Sequence, residues 1–71
     1  MLTHQMRKLL TVIEAYQASH DGVSPSYDEM MRGMGLRSKS NIGRWLDDLA
    51  ERGFIRRLEG KHRAIEIVRK D

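Results

Sequence analysis

A chain of 71 residues is one small domain. Near 60 residues a fold buries only about 60% of its unfolded surface, which leaves one marginal core and no deep catalytic cleft between subdomains. The absence of cysteine excludes disulfides and thiolate metal sites, and a net charge of +3 favours an anionic partner without identifying one.

The opening residues, MLTHQMRKLL, lack the apolar core of a signal peptide. No apolar run approaches the roughly 20 residues that span a bilayer. A cytoplasmic protein with no membrane partner is expected. From about Thr3 to His20, the residues Leu2, Met6, Leu9, Leu10, Ile13, Tyr16 and Gln17 fall on one stripe at helical spacing. Thr3 suits the N-cap, and Asp21-Gly22 breaks the pattern.

The second helix is short. Ser26 and Glu29 stand at the S-x-x-E spacing of a capping box, and Pro25 biases Ser24 towards an extended conformation. Tyr27, Met30, Met31 and Met34 make one apolar face over two turns, with Gly35 closing the helix. The methionines read as core filler.

The third helix is expected from about Ser40 to Arg52, with Ser38 as its N-cap and Gly53 past its end. Ile42, Leu46, Leu49 and Ala50 share its apolar face, and Trp45 lies on the flank, partly buried. About four residues around Gly35 separate it from the second helix, the connection of a helix-turn-helix. The tail then changes period: FIRRL and AIEIV, joined by EGKHR, read as a β-hairpin. The expected architecture over residues 1–71 is thus mainly α with a small β-hairpin, a three-helix winged helix-turn-helix.

Charge is sorted by position. Between Met30 and Leu46 there is no acid, but Arg32, Arg37, Lys39 and Arg44 are present; Asp47, Asp48 and Glu51 follow. From Arg52 to Arg63, the cations Arg52, Arg56, Arg57, Lys61 and Arg63 face only Glu59. In a helix-turn-helix the second helix of the pair enters the major groove front end first, where acids would be repelled by phosphate. The expected partner is therefore double-stranded DNA, with the hairpin as a wing on backbone or minor groove.

The text GVSPSYDEMMRGMGLRSKSNIGRWLDDLAERGFIRRLEGKHRAIEIV resembles the winged DNA-binding domain of the LexA-type SOS repressors. The resemblance runs from LTHQMRKLLTVI to AIEIV, on the markers G-x-S-P-S, LRSKS, L-x-x-L-x-x-R-G-F-I and RAIEI. It implies operator-specific transcriptional repression, with bases read at the start of the third helix. That maps onto Ser38, Ser40, Asn41, Gly43 and Arg44, with Arg37, Lys39, Ser26 and Tyr27 beside them and Lys61, His62 and Arg63 in the wing. Better-studied members carry acids where Gly43 and Arg44 stand; Arg44 suits a guanine, whereas an acid would suit a cytosine. The family's serine–lysine protease and dimerisation domain has no counterpart in these residues, so the chain is either an excised domain or a stand-alone relative. A monomer in dilute solution that pairs on two half-sites and is blind to the cleavage signal is expected. Its control would rest on its synthesis level, on a protein partner, or on competition with a full-length repressor for the operator, in a bacterial or phage-encoded, nucleoid-associated setting.

Other chemistry fits poorly. EGKH does not satisfy G-x-x-x-x-G-K-[ST], since His62 stands where Ser or Thr is required. Ser38, Lys39 and Ser40 are near neighbours, which do not face each other on a helix. His4, His20 and His62 lack metal-ligand spacing, so no enzyme, metal or cofactor is expected. Gly43 either permits close approach to the DNA backbone or is simply tolerated at a cost of about 1 kcal/mol relative to Ala. His62 reads equally as a phosphate contact or a plain surface residue. The other functional class is a winged-helix module that binds a protein.

Overall fold

The computed structural model describes residues 2–57 and 65–68. Along the described chain run α1 (His4–Ser19), α2 (Tyr27–Met34), α3 (Ile42–Glu51), β1 (Ile55–Arg57) and β2 (Ile65–Ile67). The two strands pair antiparallel, with Ile55 opposite Ile67, Arg56 opposite Glu66 and Arg57 opposite Ile65. This is the winged helix-turn-helix that the sequence pattern leads one to expect.

Local signals account for the helix starts. The Thr3 hydroxyl accepts from the Met6 N–H at 3.2 Å and caps α1. Both halves of the capping box form at α2: Glu29 N–H donates to Ser26 Oγ at 3.1 Å, and Ser26 N–H donates to Glu29 Oε1 at 2.7 Å. Gly35 ends α2 in the left-handed region at φ 75°, a turn open to glycine without a Cβ penalty. That turn lets the Leu36 N–H return to the Met31 carbonyl at 2.9 Å. Lys8 Nζ donates to the Met34 carbonyl at 3.2 Å, placing a cation at the negative end of α2.

The third helix starts later than its sequence suggests. It begins at Ile42 rather than Ser40, and its N-cap residue is Asn41, which makes no side-chain capping bond. Ser38 is not the cap of α3. Its hydroxyl accepts from the Ser40 N–H at 3.1 Å and pairs with the Ser40 hydroxyl at 2.9 Å. A serine that bonds backbone two residues on holds the chain in a turn and competes with helix formation. The connection between the two helices is consequently residues 35–41 rather than about four residues.

One core joins every element: Met6, Leu9 and Ile13 from α1, Met30 and Met34 from α2, Ile42, Leu46 and Leu49 from α3, Ile55 from β1 and Ile65 from β2. Met30 and Met34 are buried as core filler, whereas Met31 is only half-buried and lies outside the cluster; Trp45 is half-buried against it. The wing root is tied to the helices by polar contacts as well. The buried Ser24 hydroxyl and Gln17 Nε2 both meet the backbone of Ile65. Among the described residues, no helix is long and apolar enough to cross a membrane.

Candidate nucleic-acid interface

The helix-turn-helix brings the candidate residues together around the front end of α3. Ser26 is the N-cap of α2 and Tyr27 its first residue; Arg37, Ser38, Lys39 and Ser40 lie in the turn. Asn41 is the N-cap of α3, and Gly43 and Arg44 belong to its first turn. Ser40 and Asn41 thus precede the helix instead of sharing its exposed face. Lys61, His62, Arg63 and the EGKHR link lie outside the described residues.

Contacts across α2 and α3 set the geometry. A methyl group at Gly43 would lie 3.7 Å from both Cε2 and the hydroxyl oxygen of Tyr27, so the Tyr27 ring reaches to the first turn of α3. The Asn41 side-chain Oδ1 accepts from Arg44 Nη2 at 2.8 Å, orienting the guanidinium from within the same end of the helix. Lys39 Nζ lies 3.1 Å from Asp28 Oδ1, and each side chain is about half exposed. A surface pair of this kind contributes about 0–1 kcal/mol.

The ion pairs reorganise the charge pattern read from the sequence. Arg52 pairs with Asp48, Arg56 with Glu66 and Arg57 with Asp47. These three cations, which looked like a free basic run leading into the wing, all meet acids of the same molecule. Among the described residues, neither Arg37 nor Arg44 makes an ion pair. Among the described residues, Arg37 and Arg44 thus stand uncompensated at the turn and the front end of α3, as do Arg7, Lys8 and Arg32 on α1 and α2. The described residues hold no cluster of three or more histidines and carboxylates able to bind a metal.

Arg57 and Asp47 were not singled out as interface residues from the sequence. Arg57 Nη1 donates to Asp47 Oδ1 at 2.8 Å, and its Nη2 donates to the Tyr27 hydroxyl at 2.9 Å. The signal that finds Arg57 is strand parity. Side chains alternate across a strand, so Arg57 shares the helix-facing side with the buried Ile55, while Arg56 between them faces solvent.

The model of the LexA DNA binding domain matches residues 1–64. The chain belongs to the LexA DNA-binding domain family. It is 52% identical over 69 residues to the LexA repressor of Cereibacter sphaeroides, which covers 97% of this chain and 30% of that protein. The LexA repressor of Novosphingobium aromaticivorans is 45% identical over 97% of this chain and 29% of its own length. That of Ruegeria sp. strain TM1040 is 51% identical over 97% and 28% respectively. The chain thus spans under a third of the length of these curated relatives, the part that the LexA DNA-binding domain model describes.

Proposed function

We propose that residues 1–71 act as the DNA-binding module of a sequence-specific transcriptional repressor of the LexA type. In this reading α3 enters the major groove of a double-stranded operator, with Arg44 and Asn41 at base edges. Arg37, Lys39 and the hydroxyls of Ser26, Tyr27, Ser38 and Ser40 face phosphate, Gly43 lets the helix sit close, and Lys61, His62 and Arg63 reach backbone or minor groove. Two modules occupy two half-sites as a pair. The protein works in the bacterial cytoplasm, on the nucleoid. The observation that carries this reading is the charge distribution: Arg37 and Arg44 at the front of α3 have no acidic partner among the described residues, while Arg52, Arg56 and Arg57 do. Family membership supports it.

The Lys39–Asp28 pair fits the same reading. An exposed pair is exchanged at little cost, so Lys39 can leave Asp28 for a phosphate when DNA arrives. The deciding experiment is selection of bound duplexes from a random pool, followed by salt titration of the selected and an unselected duplex. A specific motif, with log K falling linearly against log salt, is the expected result. Absence of salt-dependent binding to either duplex would point instead to a winged-helix module that binds a protein.

A further inference from the structure

We propose that Arg57 is a positioning residue of the interface: it holds the Tyr27 hydroxyl as a proton donor towards a DNA phosphate and cancels the charge of Asp47 beside the base-reading end of α3. The inference rests on the DNA-binding reading above and adds to it a residue that touches no DNA.

The chemistry of the contact fixes the direction of the hydrogen bond. A guanidinium carries donors and no acceptor. At 2.9 Å from Arg57 Nη2, the Tyr27 oxygen is therefore the acceptor, and its own proton is directed elsewhere. Among the described residues no acceptor takes that proton. The ring is partly buried against the core cluster and faces Gly43 in the first turn of α3, which fixes where its hydroxyl sits. A donor is thereby held beside the front end of the helix, where phosphate oxygens would lie.

The second half of the clamp is electrostatic. Asp47 follows Arg44 by three residues and Gly43 by four, so it shares their face of α3. Its side chain is 73% exposed. Unpaired, its carboxylate would repel the phosphates that Arg44 approaches. Arg57 Nη1 at 2.8 Å neutralises it. A pair this exposed adds little to folding stability, so its consequence is for the field at the interface. The guanidinium fork serves both acceptors at once, a geometry that a lysine ammonium does not reproduce.

The test uses the full chain as wild type, Arg57→Gln, Arg57→Lys, Asp47→Asn, Tyr27→Phe and the Arg57→Gln/Asp47→Asn double variant. Each binds a selected and a random duplex across a salt series, and a circular-dichroism melt confirms folding. Arg57→Gln should lose about tenfold in affinity. Asp47→Asn alone should stay within about twofold of wild type, and the double variant should recover most of the loss, keeping the wild-type salt slope. The residual deficit of the double variant should match that of Tyr27→Phe, and Arg57→Lys should show the same small deficit. A double variant as weak as Arg57→Gln, with a slope flatter by about 0.9, would make Arg57 a direct phosphate contact and overturn the proposal. Should Arg57→Gln fail to fold, the folded Arg57→Lys and Tyr27→Phe variants decide it: a full tenfold loss in the lysine variant alone overturns it. Wild-type protein without salt-dependent binding to either duplex would instead defeat the underlying DNA reading.

Discussion

The Ser24 hydroxyl and the backbone of Ile65 hydrogen-bond in both directions. The Ile65 N–H donates to Ser24 Oγ at 2.8 Å, and Ser24 Oγ donates back to the Ile65 carbonyl at 3.2 Å. Gln17 Nε2 donates to the same serine oxygen at 3.2 Å and to the same carbonyl at 2.7 Å. The hydroxyl accepts twice and donates once, its full complement. The first strand residue of the wing's return leg is thereby fastened to α1 and to the loop after it. Ser24 is 5% exposed, so no water stands ready to replace it. Ser24→Ala strands the Ile65 N–H and should cost about 1–3 kcal/mol. A lower urea midpoint at unchanged slope would show it; an unmoved midpoint would mean that the wing root is held by Ile65 packing alone.

Two helical glycines should respond to alanine with opposite signs. At Gly43 a methyl group meets the Tyr27 ring at 3.7 Å, ordinary contact, so Gly43→Ala should stabilise by up to about 1 kcal/mol through helix propensity. At Gly33 the added carbon would lie 2.7 Å from Val12 Cγ1 and 3.4 Å from Cγ2. A β-branched side chain on a helix is stiff at χ1, and such overpacking costs about 1–3 kcal/mol. Gly33→Ala should therefore lower the melting temperature, and adding Val12→Ala should relieve the clash. Thermal melts of the three variants check both signs. If Gly43→Ala also weakens DNA binding while raising the melting temperature, the glycine serves close approach to DNA.

Asn41 and Arg44 should act as one unit. With Asn41 Oδ1 accepting from Arg44 Nη2 at 2.8 Å, removing either loosens the other. Arg44→Ala should relax preference at one base pair per half-site, a discrimination of about 1–3 kcal/mol, and barely change binding to random duplex. Asn41→Ala should relax the same position in part, and the double variant should lose less than the two singles together. Competition binding against duplexes varied at each position measures this. Uniform loss across all sequences would make Arg44 a phosphate contact, and strict additivity would separate the two residues.

Lys61 and Arg63 should give affinity rather than specificity. Replacing both with Ala should weaken selected and random duplex alike and flatten the log K against log salt slope by about 0.9 for each lost phosphate contact. An unchanged slope would remove them from the interface.

Much of the fold was legible because the signals involved are short-ranged. Helical spacing placed Met6, Leu9 and Ile13 inside; Ser26 and Glu29 announced their own capping box; Gly35 marked the end of α2. Each of these effects acts within about a turn of helix, so the residues responsible sit side by side in the chain. The alternation of AIEIV likewise marked a strand, and Ile65 is buried in it. The late start of α3 was harder to read, because Ser38 can cap a helix or bond its own turn and only the surrounding chain selects between them.

The charge pattern divides between sequence and tertiary structure. Composition and order established a helix front end without acids, and that survives in the fold: Arg37 and Arg44 have no ion pair among the described residues. Which other cations remain available to a partner could not be read from order alone. Arg57 meets Asp47 ten residues away and Tyr27 thirty residues away, and Lys39 meets Asp28 across the turn. An ion pair forms where folding brings two side chains within a few ångströms, and Coulomb attraction takes no account of the length of chain between them. The sequence therefore determined which surface would be basic, and packing of α2, α3 and β1 decided which of its cations are already occupied.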